Sequence, residues 1–356
     1  MPDDKRQPQR APGFLIRLDG AELSPEAAAD VISISIVEDL EAAAMFEIEM
    51  LNWDPVKLRM KWSDDDLFKP GRSVEIDLGY GDDRTTLLSG ETTGLELLLL
   101  ETGAPRVVVR GYDRGHRLLR GRKTMTYTNM KDSDIASQVA ADAGLSTNVE
   151  DTSETLPYVL QHNRSDLEFL RERAERIGYE VRVQAKQLTF RARKNDQQEA
   201  LTLNRETDLL EFYPRMTTVN QIGGISVRGW DPKQKQTVVG QATASDISNK
   251  MGGANAGPSV ANWYGDTEAS SVDHPVSTQG DADKIAGVIL NTIALAHVSG
   301  DGICAGRTDL RAGLNVKIEG LGTRFSGIYY VRSTTHRYTP RAGYRTEFSV
   351  ERNASG

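Results

Sequence analysis

Two stretches far apart in the chain carry the pattern of the same strand. The first reads DLFKPGRSVEIDLG, from Asp66 to Gly79, and the second reads DLRAGLNVKIEGLG, from Asp309 to Gly322. In each, a glycine (Gly71 or Gly313) is followed by Val and then Ile with one residue between them, the alternation of a strand that buries one face. The copies are too far apart for a tandem repeat. The chain is therefore predicted to build one kind of β unit twice.

The similarity extends beyond this phrase. In the first copy, Leu88-Ser89-Gly90 and then residues 106–109 follow. In the second copy, Phe325-Ser326-Gly327 and then residues 345–348 follow in the same order, with a hairpin loop of different length. The alternative is that two antiparallel barrels share turn chemistry by chance.

The N-terminal third predicts a first β-barrel at residues 13–128, behind a disordered lead of residues 1–12 that is rich in Pro, Gln and charge. Ile and Phe alternate with Ser and Glu through VISISIVEDLEAAAMFEIEML, which predicts two half-buried strands paired as a hairpin. Turn residues bound three further strands, at 73–78, 87–100 and 106–112. Several antiparallel strands within about 100 residues are typical of a small barrel or sandwich.

An α/β unit is predicted next, at residues 129–214 including a link. In KDSDIASQVAADAG, Asp132 or Ser133 is the predicted N-cap of a helix, and Gly144 follows its end. In NRSDLEFLRERAERIG, Ser165 and Glu168 form a capping box and Gly178 ends the helix. YEVRVQAKQLTFRAR then predicts a hairpin.

The second β-barrel is predicted at residues 215–245 and 305–356. A loop and helical insertion at 246–304 interrupts it, and DADKIAGVILNTIALAHVSG supplies the helix. The predicted fold class is mainly β with α+β insertions: two similar antiparallel β-barrel domains, an α/β unit and a helical insertion.

Composition limits the class of partner. The net charge of −8 argues against nucleic acid as the main partner, and the longest aliphatic run, residues 97–100, is far shorter than a membrane helix requires. The polar start MPDDKRQPQRAPG lacks the apolar stretch of a secretory signal, so synthesis in the cytoplasm without a signal peptide is expected. The single cysteine, Cys304, is predicted to be a buried apolar residue.

No catalytic, cofactor-binding or metal-binding residues are predicted, and no cofactor is expected. The five histidines lack zinc-ligand spacing, and the sequence has no nucleophile elbow and no phosphate-binding loop. Asp64-Asp65-Asp66 lacks the remaining features of a calcium loop, so a solvated turn is favoured.

The middle of the chain resembles the baseplate hub family of contractile injection systems, which includes phage late-control protein D, the T4-type hub and the N-terminal part of valine-glycine-repeat spike proteins. The resemblance is carried by MKDSDIASQVAADAGLSTNV and by VLQHNRSDLEFLRERAERIGYEVRVQAKQLTFRA, with Gln161, Ser165-Asp166, Phe169-Leu170 and Gly178-Tyr179 as its specific part. The barrel segments, residues 14–128 and 215–352, match in kind and order only.

This resemblance implies a homotrimeric structural protein in which two tube barrels per chain give a ring of six. Such a ring would adapt a three-fold spike to a six-fold inner tube and start tube assembly. The implied partners are the chain itself, an inner tube protein, a trimeric spike protein and baseplate wedge proteins, with neither nucleic acid nor membrane among them.

In the spike proteins of type VI secretion, which this chain resembles, the hub part continues into a β-helical needle. This sequence ends at SVERNASG shortly after the second barrel, so the needle is expected to be a separate polypeptide. This favours a phage tail, a tailocin or an extracellular phage-like injection particle over a type VI secretion system with a separate needle. The alternative from another class is an enzyme, a tail-tip cell-wall hydrolase.

Overall fold

The computed structural model describes residues 11–247, 249–265, 267–273 and 275–356. It is mainly β, with antiparallel sheets and a few helices, as the sequence predicts. Pro12 already lies in a strand, so order begins earlier than predicted, and the rest of the predicted lead, residues 1–10, lies outside the described residues.

Strands and helices follow in three groups along the chain. The first group contains β1 (Pro12–Leu18), β2 (Ala21–Glu22), α1 (Pro25–Ala29), β3 (Val31–Asp39), β4 (Met45–Leu51), β5 (Trp53–Asp54), β6 (Arg59–Met60), β7 (Ser73–Tyr80), β8 (Asp83–Leu98) and β9 (Arg106–Asp113). The second contains β10 (Lys123–Met130), α2 (Asp132–Asp142), β11 (Ser146–Val149), β12 (Leu156–Arg164), α3 (Asp166–Ile177), β13 (Tyr179–Gln184) and β14 (Gln187–Ala192). The third contains β15 (Leu201–Asn204), β16 (Leu209–Met216), β17 (Gly224–Asp231), β18 (Gln236–Thr243), β19 (Asn255–Ala256), α4 (Gly257–Ala261), β20 (Glu268–Ser271), α5 (Gln279–Leu295), β21 (Val298–Ala305), β22 (Asn315–Glu319), α6 (Gly322–Phe325), β23 (Gly327–Thr339), β24 (Gly343–Arg352) and β25 (Ala354–Ser355).

One 13-stranded sheet contains both copies of the repeated unit. The first repeat has the strand order β3-β4-β9-β8-β7-β1, and the second has the order β16-β21-β24-β23-β22-β15. β7 and β22, which carry the repeated phrase, occupy the same place in the two orders. One pairing differs, because β1 is antiparallel to β7 whereas β15 is parallel to β22.

Two β-bulges of the first repeat recur at the corresponding places of the second, whereas the shift between Ile76 and Asp77 in the pairing of β7 with β8 has no counterpart between β22 and β23. The pairing of β8 with β9 shifts register between Thr92 and Gly94, and the pairing of β23 with β24 shifts between Val331 and Ser333. β3 and β4 shift between Val31 and Ser33, and β16 and β21 shift between Leu209 and Glu211. Because bulges are specific features of a sheet, their agreement supports a true internal repeat over shared turn chemistry.

Each repeat encloses a hydrophobic core of its own. In the first, Ile16 of β1 and Ile34 of β3, from opposite ends of the strand order, belong to one buried cluster, so the sheet curves around it. The second repeat has a separate cluster that includes Leu203, Val316 and Phe348. The predicted counterparts Val74 and Val316, and Ile76 and Ile318, are all fully buried.

Part of the predicted alignment is wrong. Val74 lies opposite Gly90, whereas Val316 lies opposite Tyr329, so Leu88-Ser89-Gly90 corresponds to residues 327–329 and not to Phe325-Ser326-Gly327. The cause is the hairpin connection, which is a tight turn in the first repeat and includes α6 in the second.

Several unit boundaries also differ from those predicted. β10 pairs with β12 and its Tyr127 belongs to the core of the α/β unit, so this unit begins before residue 129. β15, β16 and β21 belong to the second repeat, although the first was predicted to lie in the link and the third in the insertion. The hairpin of β17 and β18 was predicted to lie in the second barrel, but it pairs with β20 and packs on α5 around a separate core.

The local predictions for α3 and for the hairpin that follows it are confirmed, whereas α2 begins after Lys131 as its N-cap, one residue earlier than predicted. α3 begins with the Ser165–Glu168 capping box and ends at Gly178, whose φ of 71° requires the left-handed region. In the hairpin of β13 and β14, Val181 lies opposite Phe190. The unit docks on the second repeat, where Arg182 and Arg191 donate to the carbonyl oxygens of Ala312 (2.5 Å) and Gly313 (3.1 Å).

Candidate assembly interface

The two repeats are joined within the chain by strand pairing. β3, at the end of the first repeat, pairs antiparallel with the C-terminal half of β23, placing Ile36 opposite His336 and Ser35 opposite Arg337. Ile36 and His336 lie on the core side of the sheet and are fully buried, whereas Ser35 and Arg337 lie on its solvent side. We call this junction the internal joint.

The internal joint is reinforced by buried polar contacts. Arg311 and Glu38 form a bidentate ion pair in which the Nε–Oε2 distance is 2.7 Å. His336 Nδ1 lies 2.8 Å from the Tyr344 hydroxyl, and its Nε2 is buried without a hydrogen-bond partner in the described part of the chain. Burial lowers the pKa of His336 to about 4, so its ring is neutral at pH 7.

The equivalents of the two strands that meet in this joint lie at open edges. β16 corresponds to β3, and β8 corresponds to β23. Within the described residues, β16 pairs only with β21, and residues 94–98 of β8 pair only with β9. Each chain thus presents one half of the joint at each open edge.

Both open edges expose apolar side chains. At the edge formed by β8, Leu97 and Leu99 are 47% and 67% exposed. At the edge formed by β16, Tyr213 and Met216 are 63% and 39% exposed. Exposed apolar residues on an unpaired strand are typical of an edge that another strand covers.

The solvent side of the large sheet is lined with charged side chains in pairs. Arg110 donates to Glu47 and to Glu96, at 2.9 and 2.6 Å. Arg106 pairs with Glu49 at 2.8 Å. We call this side of the sheet the polar face. Its side chains are partly exposed, and it carries both signs of charge.

The residues that the sequence singled out for possible chemistry are scattered. His116 lies beside Glu91, His297 is buried against Thr217, His336 lies in the internal joint, His162 is exposed, and His274 lies outside the described residues. Cys304 is fully buried, as predicted, and burial raises its pKa to about 12. Asp65 accepts from the Leu67 amide at 2.8 Å, as in a local turn.

The described residues contain no group of three or more His, Cys, Asp or Glu side chains placed to hold a metal ion. In the same part of the chain, every helix is too short or too polar to cross a bilayer.

Sequence reasoning missed the open edges, because edge position depends on pairing between distant strands. The one available signal was Pro214 within the apolar pattern LLEFYPRM, since proline in a strand indicates an edge.

Similar folds occur in phage tail proteins and in type VI secretion. The 43 kDa tail protein of prophage MuSo2 from Shewanella oneidensis aligns with a TM-score of 0.73 and 15% identity, covering 97% of this chain and 100% of that one. A tail protein from Neisseria meningitidis MC58 gives 0.71 and 12%, covering 96% and 97%. A type VI secretion component of E. coli, described as similar to the T4 tail proteins gp27 and gp5, gives 0.60 and 14%, covering 96% and 78%.

At these identities the likeness establishes the fold, and the predicted resemblance to tail machines is confirmed at that level. No curated protein matches the sequence. The sequence profile of one family, the Alg8 N-terminal domain, matches residues 9–340. The chain therefore belongs to the Alg8 N-terminal domain family.

Proposed function

We propose that the chain is the baseplate hub of a contractile injection particle. In this role it assembles as a homotrimer whose six repeats form a ring between a three-fold spike and a six-fold inner tube. Its role is structural: it starts the assembly of the inner tube and connects the three-fold spike to the six-fold tube.

The observation that carries the proposal is the unfinished repetition of the internal joint. Suppose that β16 of one chain pairs with β8 of the next chain in the way that β3 pairs with β23. The same strand pairing then joins every two neighbouring repeats of the ring. In a closed ring every edge strand has a partner strand, so no sheet edge is left unpaired. Three chains of two repeats give six positions, the number that a hexameric tube requires.

The side chains at the open edges fit this pairing. Transferring the register of the internal joint places Leu97 and Leu99 opposite Pro214 and Phe212 of the neighbouring copy, all on the core side of the sheet. On the polar face the same register places Glu96 opposite Arg215. An apolar row and an opposite-charge pair would thus be covered together.

The proposed outer partners follow from the ring. An inner tube protein would stack on the ring, a trimeric spike would occupy its other side, and wedge proteins would contact the α/β unit and the insertion around α5. The fold is shared by phage tail proteins and by a type VI secretion component, which supports this class of partner.

The proposal is tested by the mass and symmetry of the assembled chain. Sedimentation velocity should give a trimer, and electron microscopy should show a ring of six similar densities. The trimer mixed with the tube protein of the same gene cluster should shorten the lag of tube polymerisation. A monomer at high concentration, or a ring with another number of subunits, would contradict it.

A further inference from the structure

One cavity of about 310 Å³ opens on the polar face of the second repeat. The polar residues that line it are Tyr213, Asp301, Ser333, Thr335, Glu347 and Ser349. The lining comes from four adjacent strands, β16, β21, β24 and β23, so the rigid sheet positions every side chain.

The first repeat fills the equivalent place with a side chain of its own. The strand pairings make Glu47 the counterpart of Asp301, Arg110 that of Ser349, and Glu96 that of Thr335. The Arg110 guanidinium lies over these strands, donating through Nε to Glu47 (2.9 Å) and through Nη1 to Glu96 (2.6 Å).

The second repeat retains one of the two carboxylates, Asp301 in place of Glu47, but lacks the guanidinium. Ser349 donates to Asp301 Oδ1 at 2.7 Å, and its short side chain leaves the space above open. Thr335 replaces the carboxylate of Glu96, but Glu347 supplies one on the adjacent strand, opposite Thr335. The cavity thus has two carboxylates around the place where the sister repeat holds an arginine head group.

Existing pairs do not close this cavity. Arg215 and Arg337 contact Asp301 and Glu347, each at 3.3 Å, but neither arginine lines the cavity, and their side chains are 74% and 52% exposed. Exposed ion pairs of this kind contribute little to stability. Each carboxylate can therefore exchange its arginine for another cation.

We propose that this pocket binds a guanidinium group, the head of an arginine side chain from a protein lying against the polar face. The planar donor fork of arginine matches two carboxylates and stacks on an aromatic ring, here Tyr213, in a way that an ammonium group does not. The proposal does not depend on ring formation, because the pocket lies within one chain.

The test is a titration of the ¹⁵N-labelled chain with N-acetyl-L-arginine amide, followed by NMR. Saturable shifts are expected at Tyr213, Asp301, Ser333 and Ser349. N-acetyl-L-lysine amide should bind several-fold more weakly, and Asp301→Asn should weaken the binding of the arginine amide. The absence of saturable shifts, or equal binding of both amides, would overturn the proposal.

Two further variants use the repeat as a control. Ser349→Arg copies the first repeat, so it should fill the pocket and abolish the shifts. Thr335→Arg reaches the pocket from β23 and should also abolish the shifts. It serves as the second variant if Ser349→Arg folds poorly. Conversely, Arg110→Ser should open a second site, with new shifts at Glu47 and Glu96. Unchanged binding in folded Ser349→Arg protein would show that the ligand lies elsewhere.

Discussion

Ile76 and Ile318 show at the residue scale what the repeated phrase specifies. Both are fully buried, and the residues beside them, Glu75 and Lys317, face the solvent side and differ in charge. The sequence could predict this because strand alternation is local. The partners of each strand are not local, which explains the error at residues 325–327.

Ile318→Asp should unfold the second repeat. The substitution buries a carboxylate without a partner, which costs several kcal/mol, roughly the stability of a small domain. Urea unfolding should show the loss, and the variant should fail to support tube polymerisation because its second repeat is unfolded. The control is Lys317→Asp, which places the same group on the solvent side and should leave the unfolding midpoint nearly unchanged. Comparable losses in both variants would contradict the assignment of faces.

His336 should make stability depend on pH. An ordinary histidine titrates near pH 6.5, and burial lowers the pKa of His336 to about 4, against the opposing effect of nearby Glu38. As the pH falls, the unfolded chain binds the proton first. The contribution is therefore complete above about pH 6.5 and is lost toward pH 4, by at most about 3 kcal/mol.

Urea unfolding of His336→Gln between pH 4 and pH 7 should show a flatter dependence than the unsubstituted chain. His162→Gln, at an exposed position, is the matched control and should leave the slope unaltered. An unchanged slope in His336→Gln would mean that other groups set the pH dependence.

At the element scale, helices with their own caps were predictable and the membership of strands was not. α3 begins and ends at its predicted signals, and α2 ends shortly before Gly144 as predicted, although its N-cap is Lys131 and not Asp132 or Ser133. By contrast, β21 alternates buried and less buried residues, β10 has one buried residue and β16 has none, and none of these patterns indicates the sheet that the strand joins. Their place depends on pairing with residues far along the chain. The open edges of the candidate interface were hidden for the same reason.

The contact between the α/β unit and the second repeat should depend on Tyr330. Its hydroxyl donates to Glu180, which is buried and also accepts from Arg191 Nε at 2.9 Å. Tyr330→Phe removes one donor from a buried carboxylate, at a cost of about 1–3 kcal/mol. Amide hydrogen exchange in β13 and β14 should become faster. Tyr179→Phe removes a hydroxyl that donates to the Asp151 carbonyl in an exposed bond, and it should change exchange little.

At the scale of the whole molecule, the internal joint connects the two repeats to each other. The equivalent outer edges, at β16 and at residues 94–98 of β8, have no second strand partner among the described residues. The internal joint buries His336 where the open edge of the first repeat exposes Leu97. A purely apolar row suits an edge that is covered only on assembly, because no buried polar group must then find a partner.

The proposed joint between chains makes a prediction about charge. Glu96 and Arg215 of the neighbouring copy would lie opposite each other on the polar face. Glu96→Arg places two arginines opposite each other, and Arg215→Glu places two glutamates there. Directly opposed like charges weaken a sheet pair by about 0.2–1 kcal/mol, and a trimeric ring repeats this loss at every joint. Each single variant should therefore lower the trimer fraction in sedimentation velocity, more strongly at low salt.

The double variant Glu96→Arg, Arg215→Glu restores opposite charges and should recover the trimer. This rescue separates the pair between chains from the contacts that each residue makes within its own chain, with Arg110 and Asp301. Both single variants should unfold as the unsubstituted monomer does, since all these side chains are exposed. If the trimer persists in the single variants, β16 and β8 do not pair in this register. If the double variant stays dissociated although each chain is folded, the two residues do not face each other, and the ring must close through another surface.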